Sequence, residues 1–196
     1  MTPDKLTPAE EKFRNERSYK LLLLFGMLSM TMMFAGLTSA FVVSKSRADW
    51  LKDFQLPIAF YISTVVIIGC SVTFHLAKKA IQKDNRNATT SFLLGTLALG
   101  ILFMILQFIG FGQVVASGYY FTGSASNITT TFLYVVTIVH LAHLAGGLIS
   151  LLIIIYNHFK QKYNSTQTLG IELGAMYWHF LDLLWVYLFL FLYFFK

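Results

Sequence analysis

The C-terminal segment of the chain carries the residues best suited to chemistry in a membrane. It reads Tyr177-Trp178-His179-Phe180-Leu181-Asp182, with Trp185 three residues further on, inside an otherwise apolar stretch. Asp182 is the only acidic residue within the segments that the sequence predicts to span a membrane. An ionisable group in hydrocarbon is costly unless it is paired, neutral or turned toward protein, so Asp182 is a candidate functional residue.

Four of the five histidines also lie in apolar segments, at His75, His140, His143 and His179. His140 and His143 are three residues apart and therefore share a helix face. A haem b could be held by a histidine pair on two facing helices, such as His140 or His143 opposite His179. A zinc site needs three or four ligands, which these histidines and Asp182 barely supply. A di-metal site in a helix bundle needs about four carboxylates and is excluded. The favoured interpretation is that these groups bind helices together by hydrogen bonds.

Composition places the chain among membrane proteins with several spans. Of 196 residues, 56% are hydrophobic and only 12% are charged, about half the charged fraction of soluble domains. The net charge of +6 could suggest binding to nucleic acid, but the basic residues lie between apolar segments, where they are typical of membrane topology. A single cysteine, Cys70, excludes a disulfide framework and a thiolate metal site.

Five segments are long enough to cross the roughly 30 Å of hydrocarbon as helices. They predict an all-α fold of five transmembrane helices over about residues 21–43, 57–77, 92–116, 130–156 and 173–195. Residues 1–20 form a polar arm that precedes the five-helix bundle of residues 21–196. Thr7-Pro8-Ala9-Glu10 has the spacing of a capping box, which predicts a short surface helix that begins in this arm.

The distribution of lysine and arginine predicts the orientation of the bundle. The arm and the loops after the second and fourth segments hold most of them, including Lys78, Lys79 and Arg86, whereas the other side has Lys45, Arg47, Lys52 and Lys196. The excess of positive charge places the N-terminus in the cytoplasm and the C-terminus outside. With about 1.5 Å of rise per residue, His143 and His179 then lie at similar depth, and we expect the polar groups of the fourth and fifth segments to meet.

The spacing of these residues resembles the subunit III family of haem–copper oxidases. The last helix of that family typically has a glutamate followed by the Y-W-H-F-x-D-x-x-W motif, which corresponds here to Glu172 and to the residues from Tyr177 to Trp185. The fourth segment is similar to the family's histidine motif through Thr137, His140 and His143. Leu99-Gly100, Phe103 and Gln107 in the third segment, Asn85-Arg86 in a loop, and Phe34-Ala35-Gly36 in the first segment also match.

The resemblance implies a bacterial five-helix form of subunit III in the plasma (inner) membrane. Such a chain has no catalytic residue and binds no haem or metal. It packs against subunit I, which holds the haems and copper, beside subunit II and small subunits. It supports proton uptake during oxygen reduction, and phospholipid commonly lies against it. A quinol oxidase subunit III is the alternative within this class, and a haem b membrane anchor of a dehydrogenase is the alternative from another class.

Two positions depart from the family. Met30 stands where the first segment often has a glutamate, and Gly110 stands where a second glutamate commonly follows Gln107. A proton-collecting role that depends on those carboxylates is therefore not expected here. Any help with proton uptake is expected from the basic surface of Lys78, Lys79 and Arg86, together with Glu172 and the N-terminal arm.

Overall fold

The computed structural model describes residues 7–47, 49–51, 54–123, 126–164 and 167–195. Within these ranges the chain forms five α-helices, one short 3-10 turn and no strand. The helices are α1 (Pro8–Val43), α2 (Ile58–Gln82), α3 (Arg86–Ala116), α4 (Ile128–Phe159) and α5 (Leu169–Phe195). All five are long and apolar enough to cross a membrane, which confirms the predicted fold class. The basic residues Lys5, Lys52 and Lys196 lie outside the described residues.

Helix α1 differs from its prediction because it has no break between the polar arm and the apolar segment. Thr7 Oγ1 accepts a hydrogen bond from the Glu10 N–H, and the Thr7 N–H donates to the Glu10 carboxylate at 2.8 Å. This is the capping box that the sequence predicted. The helix that starts there continues for 36 residues to Val43. The arm is therefore the first three turns of a long helix, and residues 1–6 of the arm lie outside the described residues.

The other helices also extend beyond the apolar segments, mostly by a polar turn at one end. Asn85 caps α3 by accepting from the Ala88 N–H at 3.1 Å, and Asn127 caps α4 by accepting from the Thr130 N–H at 3.0 Å. A side-chain cap satisfies backbone donors outside the apolar stretch, so the helix begins at the cap and not where hydropathy rises. Helix α3 accordingly begins at Arg86 instead of residue 92.

Three helices end in a Schellman cap, in which one residue adopts positive φ. Gly118 takes this position after α3, with φ 83°. Asp84 after α2 and Gln161 after α4 take it without being glycine, at φ 52° and 57°. After α4, the Gln161 N–H donates to the His158 carbonyl and the Lys162 N–H to the Asn157 carbonyl. The two loops after α2 and α4 therefore turn sharply and in the same way.

Helix α5 lies at the centre of the packing. It contacts α1, α2 and α4, while α2 and α3 form a closely packed hairpin and α3 also contacts α4. Lys20 of α1 pairs with Glu172 of α5, and Arg86 of α3 donates to the Tyr163 carbonyl after α4. The start of α1, the α2–α3 loop and the α4–α5 loop thus share one end of the bundle. We call it the basic end, because it carries Lys20, Lys78, Lys79, Arg86, Lys160 and Lys162.

Candidate functional site

Helix α5 presents two different faces to its neighbours. Trp178, Leu181, Trp185 and Leu188 repeat every three or four residues and are at most 1% exposed, so they form the side that packs into the core. His179 and Asp182 are displaced around the helix from this row and lie beside α2. The residues of the Y-W-H-F-x-D-x-x-W motif are therefore divided between the core and the α2 side.

Trp178 lies in a slot that two glycines open. A methyl group at Gly100 of α3 would come within 3.1 Å of the Trp178 ring, and one at Gly147 of α4 within 3.4 Å. The first distance is tighter than most contacts, and a methyl group at Gly147 would also come within 3.0 Å of Leu181 Cδ1, so either methyl group would require its neighbours to shift. Trp178 is 1% exposed, and its place is in the packing of α3, α4 and α5.

Trp185 joins α5 to α2, α3 and α4. Its indole N–H donates to Thr64 Oγ1 of α2 at 3.1 Å. Its ring lies edge-on to Phe103 of α3 at 5.2 Å between centroids, and the His140 ring of α4 is also 5.2 Å away. Such aromatic contacts add to the burial of the ring itself. Trp185 is thus a junction of three helices with α5.

His140 is fully buried among aromatic rings. Besides Trp185, the rings of Phe34 and Phe103 lie 6.4 and 6.2 Å from it. Neither ring nitrogen has a hydrogen-bond partner in the described part of the chain, and the same holds for the hydroxyl of Thr137 one turn earlier. His140 is therefore the histidine with the most apolar surroundings in the described bundle.

His143 is tied to its own helix and to α5. Its Nδ1 donates to the Val139 carbonyl at 2.7 Å, and the Tyr177 hydroxyl donates to the His143 carbonyl at 3.1 Å. The Phe34 ring of α1 lies 5.8 Å from the imidazole. His143 and Tyr177 therefore connect α4 and α5 on the side of α1.

His179 and Asp182 lie beside α2. Of the polar groups expected to meet between α4 and α5, His140 contacts Trp185 and His143 contacts Tyr177, whereas His179 contacts Ser71 and His75 of α2. The His179 Nδ1 is 2.6 Å from Ser71 Oγ, and the His75 and His179 rings are 6.1 Å apart. Asp182 is 4% exposed and lies near Ser71 and Cys70 of α2. Neither of its carboxylate oxygens has a hydrogen-bond partner in the described part of the chain. The physical reason is that α5 packs between α2 and α4, and a step of one residue around the helix turns a side chain from one neighbour to the other.

The basic end holds a second group of predicted residues. Lys20 Nζ is 2.8 Å from a Glu172 carboxylate oxygen, and the Thr168 hydroxyl donates to the other oxygen at the same distance. Lys78 interacts electrostatically with this carboxylate, while Lys79 is exposed. Arg86 donates to the Tyr163 carbonyl at 3.0 Å. Of the predicted basic surface, Lys79 is thus the residue that points away from the bundle.

Gly110, which stands where the family commonly has a glutamate, has a steric explanation. A methyl group at this position would collide with the Phe60 ring of α2. Phe60 is 1% exposed and packs edge-on against Trp185. The phenyl ring therefore occupies the space that any side chain at position 110 would need. At Met30 of α1 the side chain is half-buried.

The structure also identifies polar contacts that the sequence did not reveal. Ser71 of α2 contacts His179 of α5, and Thr64 of α2 accepts a hydrogen bond from Trp185 of α5. Ser71 and Thr64 lie seven residues apart, which is two helical turns, so they share one face of α2. This spacing is the sequence feature from which the polar face of α2 could have been predicted. His158, beyond the predicted end of the fourth segment, is 4% exposed, and its Nε2 lies 2.9 Å from Thr90 Oγ1 of α3.

The histidines and tryptophans of this site form hydrogen bonds and packing contacts between helices. His140 and His179 lie at different interfaces, α4 with α3 and α5 in the first case and α2 with α5 in the second. No group of three or more His, Cys, Asp or Glu side chains converges in the described ranges. The geometry therefore fits a role in helix association better than the paired-histidine arrangement that a haem between α4 and α5 would require.

Comparison with known proteins extends over most of the chain. Residues 12–196 match the family described as Cytochrome c oxidase subunit III. The cytochrome c oxidase subunit 3 of Spodoptera frugiperda is 32% identical over 142 residues, which cover 72% of this chain and 90% of that protein. The subunit 3 of Thermostichus vulcanus is 27% identical over 175 residues, 87% of this chain and 84% of that protein.

Some relatives are longer. The match to the cytochrome c oxidase subunit 3 of Drosophila yakuba, 31% identical, covers 72% of this chain but 51% of that protein, so the chain spans about half the length of several relatives. Neither the quinol oxidase nor the haem anchor alternative is favoured by these matches. The family match and the residues gathered by α5 agree, and the chain belongs to the cytochrome c oxidase subunit III family.

Proposed function

We propose that this chain is the non-redox subunit III of a respiratory cytochrome c oxidase, in which it stabilises subunit I and supports proton uptake. The observation that carries the proposal is the family match over residues 12–196. In support, the side chains of His140, His179 and Trp185 are engaged in contacts between helices. The haems and copper would belong to subunit I, with subunit II and small subunits completing the complex.

The test is purification of the tagged chain in mild detergent. We expect a haem-bearing subunit to copurify, with its Soret absorbance, and we expect the chain separated from that complex to carry no Soret band. A stoichiometric Soret band on the separated chain would favour the haem anchor instead. Turnover with cytochrome c and with a quinol as donors distinguishes the two kinds of oxidase.

We also propose that the basic end lies in the cytoplasm of a bacterial cell, with phospholipid against the apolar faces. The excess of lysine and arginine at that end supports this orientation. Cys70 is fully buried, so single cysteines can be introduced into a Cys70→Ala background and labelled from one side. In intact spheroplasts, Tyr120→Cys at the opposite end should react with an impermeant maleimide, while Lys162→Cys should react only after lysis. The reverse result would invert the topology.

A further inference from the structure

Two buried polar side chains of α5 lack a hydrogen-bond partner. Trp178 is 1% exposed and Asp182 is 4% exposed. Within the part of the chain that the structure describes, neither the Trp178 indole N–H nor either Asp182 carboxyl oxygen makes a hydrogen bond. Buried polar groups in native proteins almost always have a partner, from the protein or from an ordered water molecule. Trp178 and Asp182 therefore call for one.

The orientation of the Trp178 ring turns its N–H toward α2 and α3. A methyl group at Gly147 of α4 would meet Cζ3 and Cε3 of the indole, whereas one at Gly100 of α3 would meet Cζ2. In an indole, Cζ2 and Nε1 lie on one edge and Cε3 lies on the opposite edge. The N–H therefore faces away from α4, and it lies near the Cys70 thiol of α2.

Asp182 reaches the same place from one turn further along α5. Residues four apart lie on one face of a helix, and the Asp182 carboxyl group also lies near Cys70. The Cys70 thiol donates its hydrogen to the Thr96 carbonyl of α3 at 3.2 Å, so it is not a donor to Asp182. Cys70 is thus the common neighbour of two α5 groups whose hydrogen-bonding capacity it does not satisfy.

Helix α2 is least bulky at this level. Cys70 and Ser71 are small side chains, and both lie near Asp182. The larger side chains of Ile67 and Phe74, both fully buried, lie one turn to either side of Cys70. The α2–α5 interface therefore combines small side chains with unsatisfied polar atoms, which are the surroundings that hold a buried water molecule.

We propose that a water molecule binds between Trp178 and Asp182 at the α2–α5 interface. The indole N–H can only donate a hydrogen bond, and carboxylate oxygens accept them. Water accepts from the first group and donates to the second, so it joins two side chains that make no direct hydrogen bond to each other. Its other hydrogen can be donated to the Cys70 sulfur or to the second carboxyl oxygen. The bridge involves this chain alone, so it stands independently of the proposed function.

The bridge also gives the spacing of the motif a physical role. Trp178 and Asp182 are separated by one helical turn in Y-W-H-F-x-D-x-x-W, and both would hold the same water. Trp185, the second tryptophan of the motif, needs no such bridge, because its indole N–H donates to Thr64 Oγ1 at 3.1 Å. The two tryptophans are equally buried, at 1% exposed, and differ in this respect.

The experiment is hydroxyl-radical labelling of the protein purified from membranes in mild detergent with its copurifying partners. X-ray radiolysis in water labelled with heavy oxygen generates radicals also from bound water, and these oxidise the side chains next to it. Mass spectrometry then locates the heavy oxygen. We expect roughly fivefold more label at Trp178 than at Trp185, because a bound water and not bulk solvent is the source. This comparison requires no substitution, and equal labelling of the two tryptophans would overturn the proposal.

Two substitutions test the second ligand of the water. Asp182→Asn keeps an oxygen that accepts a hydrogen bond, and the labelling of Trp178 should persist. Asp182→Leu replaces the carboxyl group with an apolar side chain, and the labelling of Trp178 should fall to that of Trp185. Unchanged labelling of Trp178 in Asp182→Leu would contradict the bridge.

A density map of the same preparation locates the water directly. One peak should lie at a hydrogen-bonding distance of about 2.7–3.2 Å from both the indole nitrogen and a carboxyl oxygen. A peak at about 2.3–2.6 Å from both carboxyl oxygens would identify a bound cation instead. That result, or a direct hydrogen bond between Trp178 and Asp182, would overturn the proposal.

Discussion

At the residue scale, the hydrogen bond between Ser71 and His179 is the clearest link between the motif and a neighbouring helix. Ser71→Ala removes the hydroxyl that lies 2.6 Å from the half-buried His179 Nδ1. An unsatisfied polar atom of this kind costs about 1–3 kcal/mol. We expect a lower midpoint of thermal unfolding for the detergent-purified protein. Ser71→Thr keeps the hydroxyl and serves as the control, and equal destabilisation by both substitutions would assign the effect to volume instead.

Substitutions of Asp182 can show whether its carboxylate contributes to assembly of the complex through its charge or through its shape. Asp182→Asn keeps nearly the same volume and can donate as well as accept hydrogen bonds. Asp182→Leu places a larger apolar group at a site that is 4% exposed, beside the polar side chain of Ser71, and overpacking adds about 1–3 kcal/mol. We expect the yield of intact complex to fall more for Leu than for Asn. Equal losses would show that assembly requires the negative charge.

The residue scale is also where sequence reasoning was least complete. The motif, its histidines and its single intramembrane carboxylate could be recognised from residue types alone. The neighbours of His179 and Asp182 could not be recognised in this way, because helices that are apolar all round carry little information about which side faces which neighbour. Ser71 is one of several hydroxyl residues in α2, and only the rotation of α2 against α5 singles it out.

At the element scale, the contact of α2 with α3 depends on Gly110 being without a side chain. Gly110→Ala would place a methyl group against the Phe60 ring, and we expect a destabilisation of about 1–3 kcal/mol. Gly112→Ala, on the same helix with no atom within 4 Å of the new methyl group, is the matched control and should be neutral or slightly stabilising. Phe60→Leu combined with Gly110→Ala should recover part of the loss. Strict additivity of the two substitutions in thermal unfolding would contradict the proposed steric coupling.

The helix ends supply a stabilising prediction. Gln161 adopts φ 57° at the end of α4, a conformation that costs a non-glycine residue roughly 1 kcal/mol. Gln161→Gly should therefore raise the thermal midpoint by an amount equivalent to about 0.5–1 kcal/mol. Lys160→Gly, one residue earlier at φ −74°, should not stabilise, because that backbone conformation suits any residue. A gain in both variants would indicate a loop effect unrelated to the positive φ.

The existence and order of the five helices could be predicted from hydropathy. Where each helix begins and ends depends instead on its capping residues. The capping box at Thr7 and Glu10 was visible in the sequence, yet the continuity of α1 from Pro8 to Val43 was not. No glycine or proline interrupts the junction near residue 20, so the backbone has no reason to break there. The extension of α4 to Phe159 brings His158 into contact with Thr90, a pairing that a span ending at residue 156 could not suggest.

At the scale of the whole molecule, we expect the membrane-spanning part of the chain to affect the stability of the complex and the basic end to affect proton supply. Removal of the chain should expose the face of subunit I against which we propose that it packs. It should leave the redox centres intact, because we assign them to another subunit. The basic end would contribute a local field, screened beyond about 8–10 Å at ordinary salt. Lys79 is the predicted basic-surface residue that points away from the bundle, while Lys20 and Arg86 are held in contacts.

Deletion of the chain should therefore leave oxygen reduction possible but slower in reprotonation and shorter-lived. We expect initial turnover to remain measurable. As pH rises, it should fall more steeply than the turnover of the intact complex, because fewer protons are then available at the surface. During sustained turnover, activity should also decay sooner than in the intact complex. Lys79→Gln should reproduce a small part of the pH effect at low ionic strength and lose it at high salt, while Lys45→Gln at the opposite end should not. The measurement is oxygen consumption over time at several pH values, with haem spectra recorded before and after. Immediate and complete loss of turnover with unchanged haem spectra would mean that this chain takes part in the reaction itself.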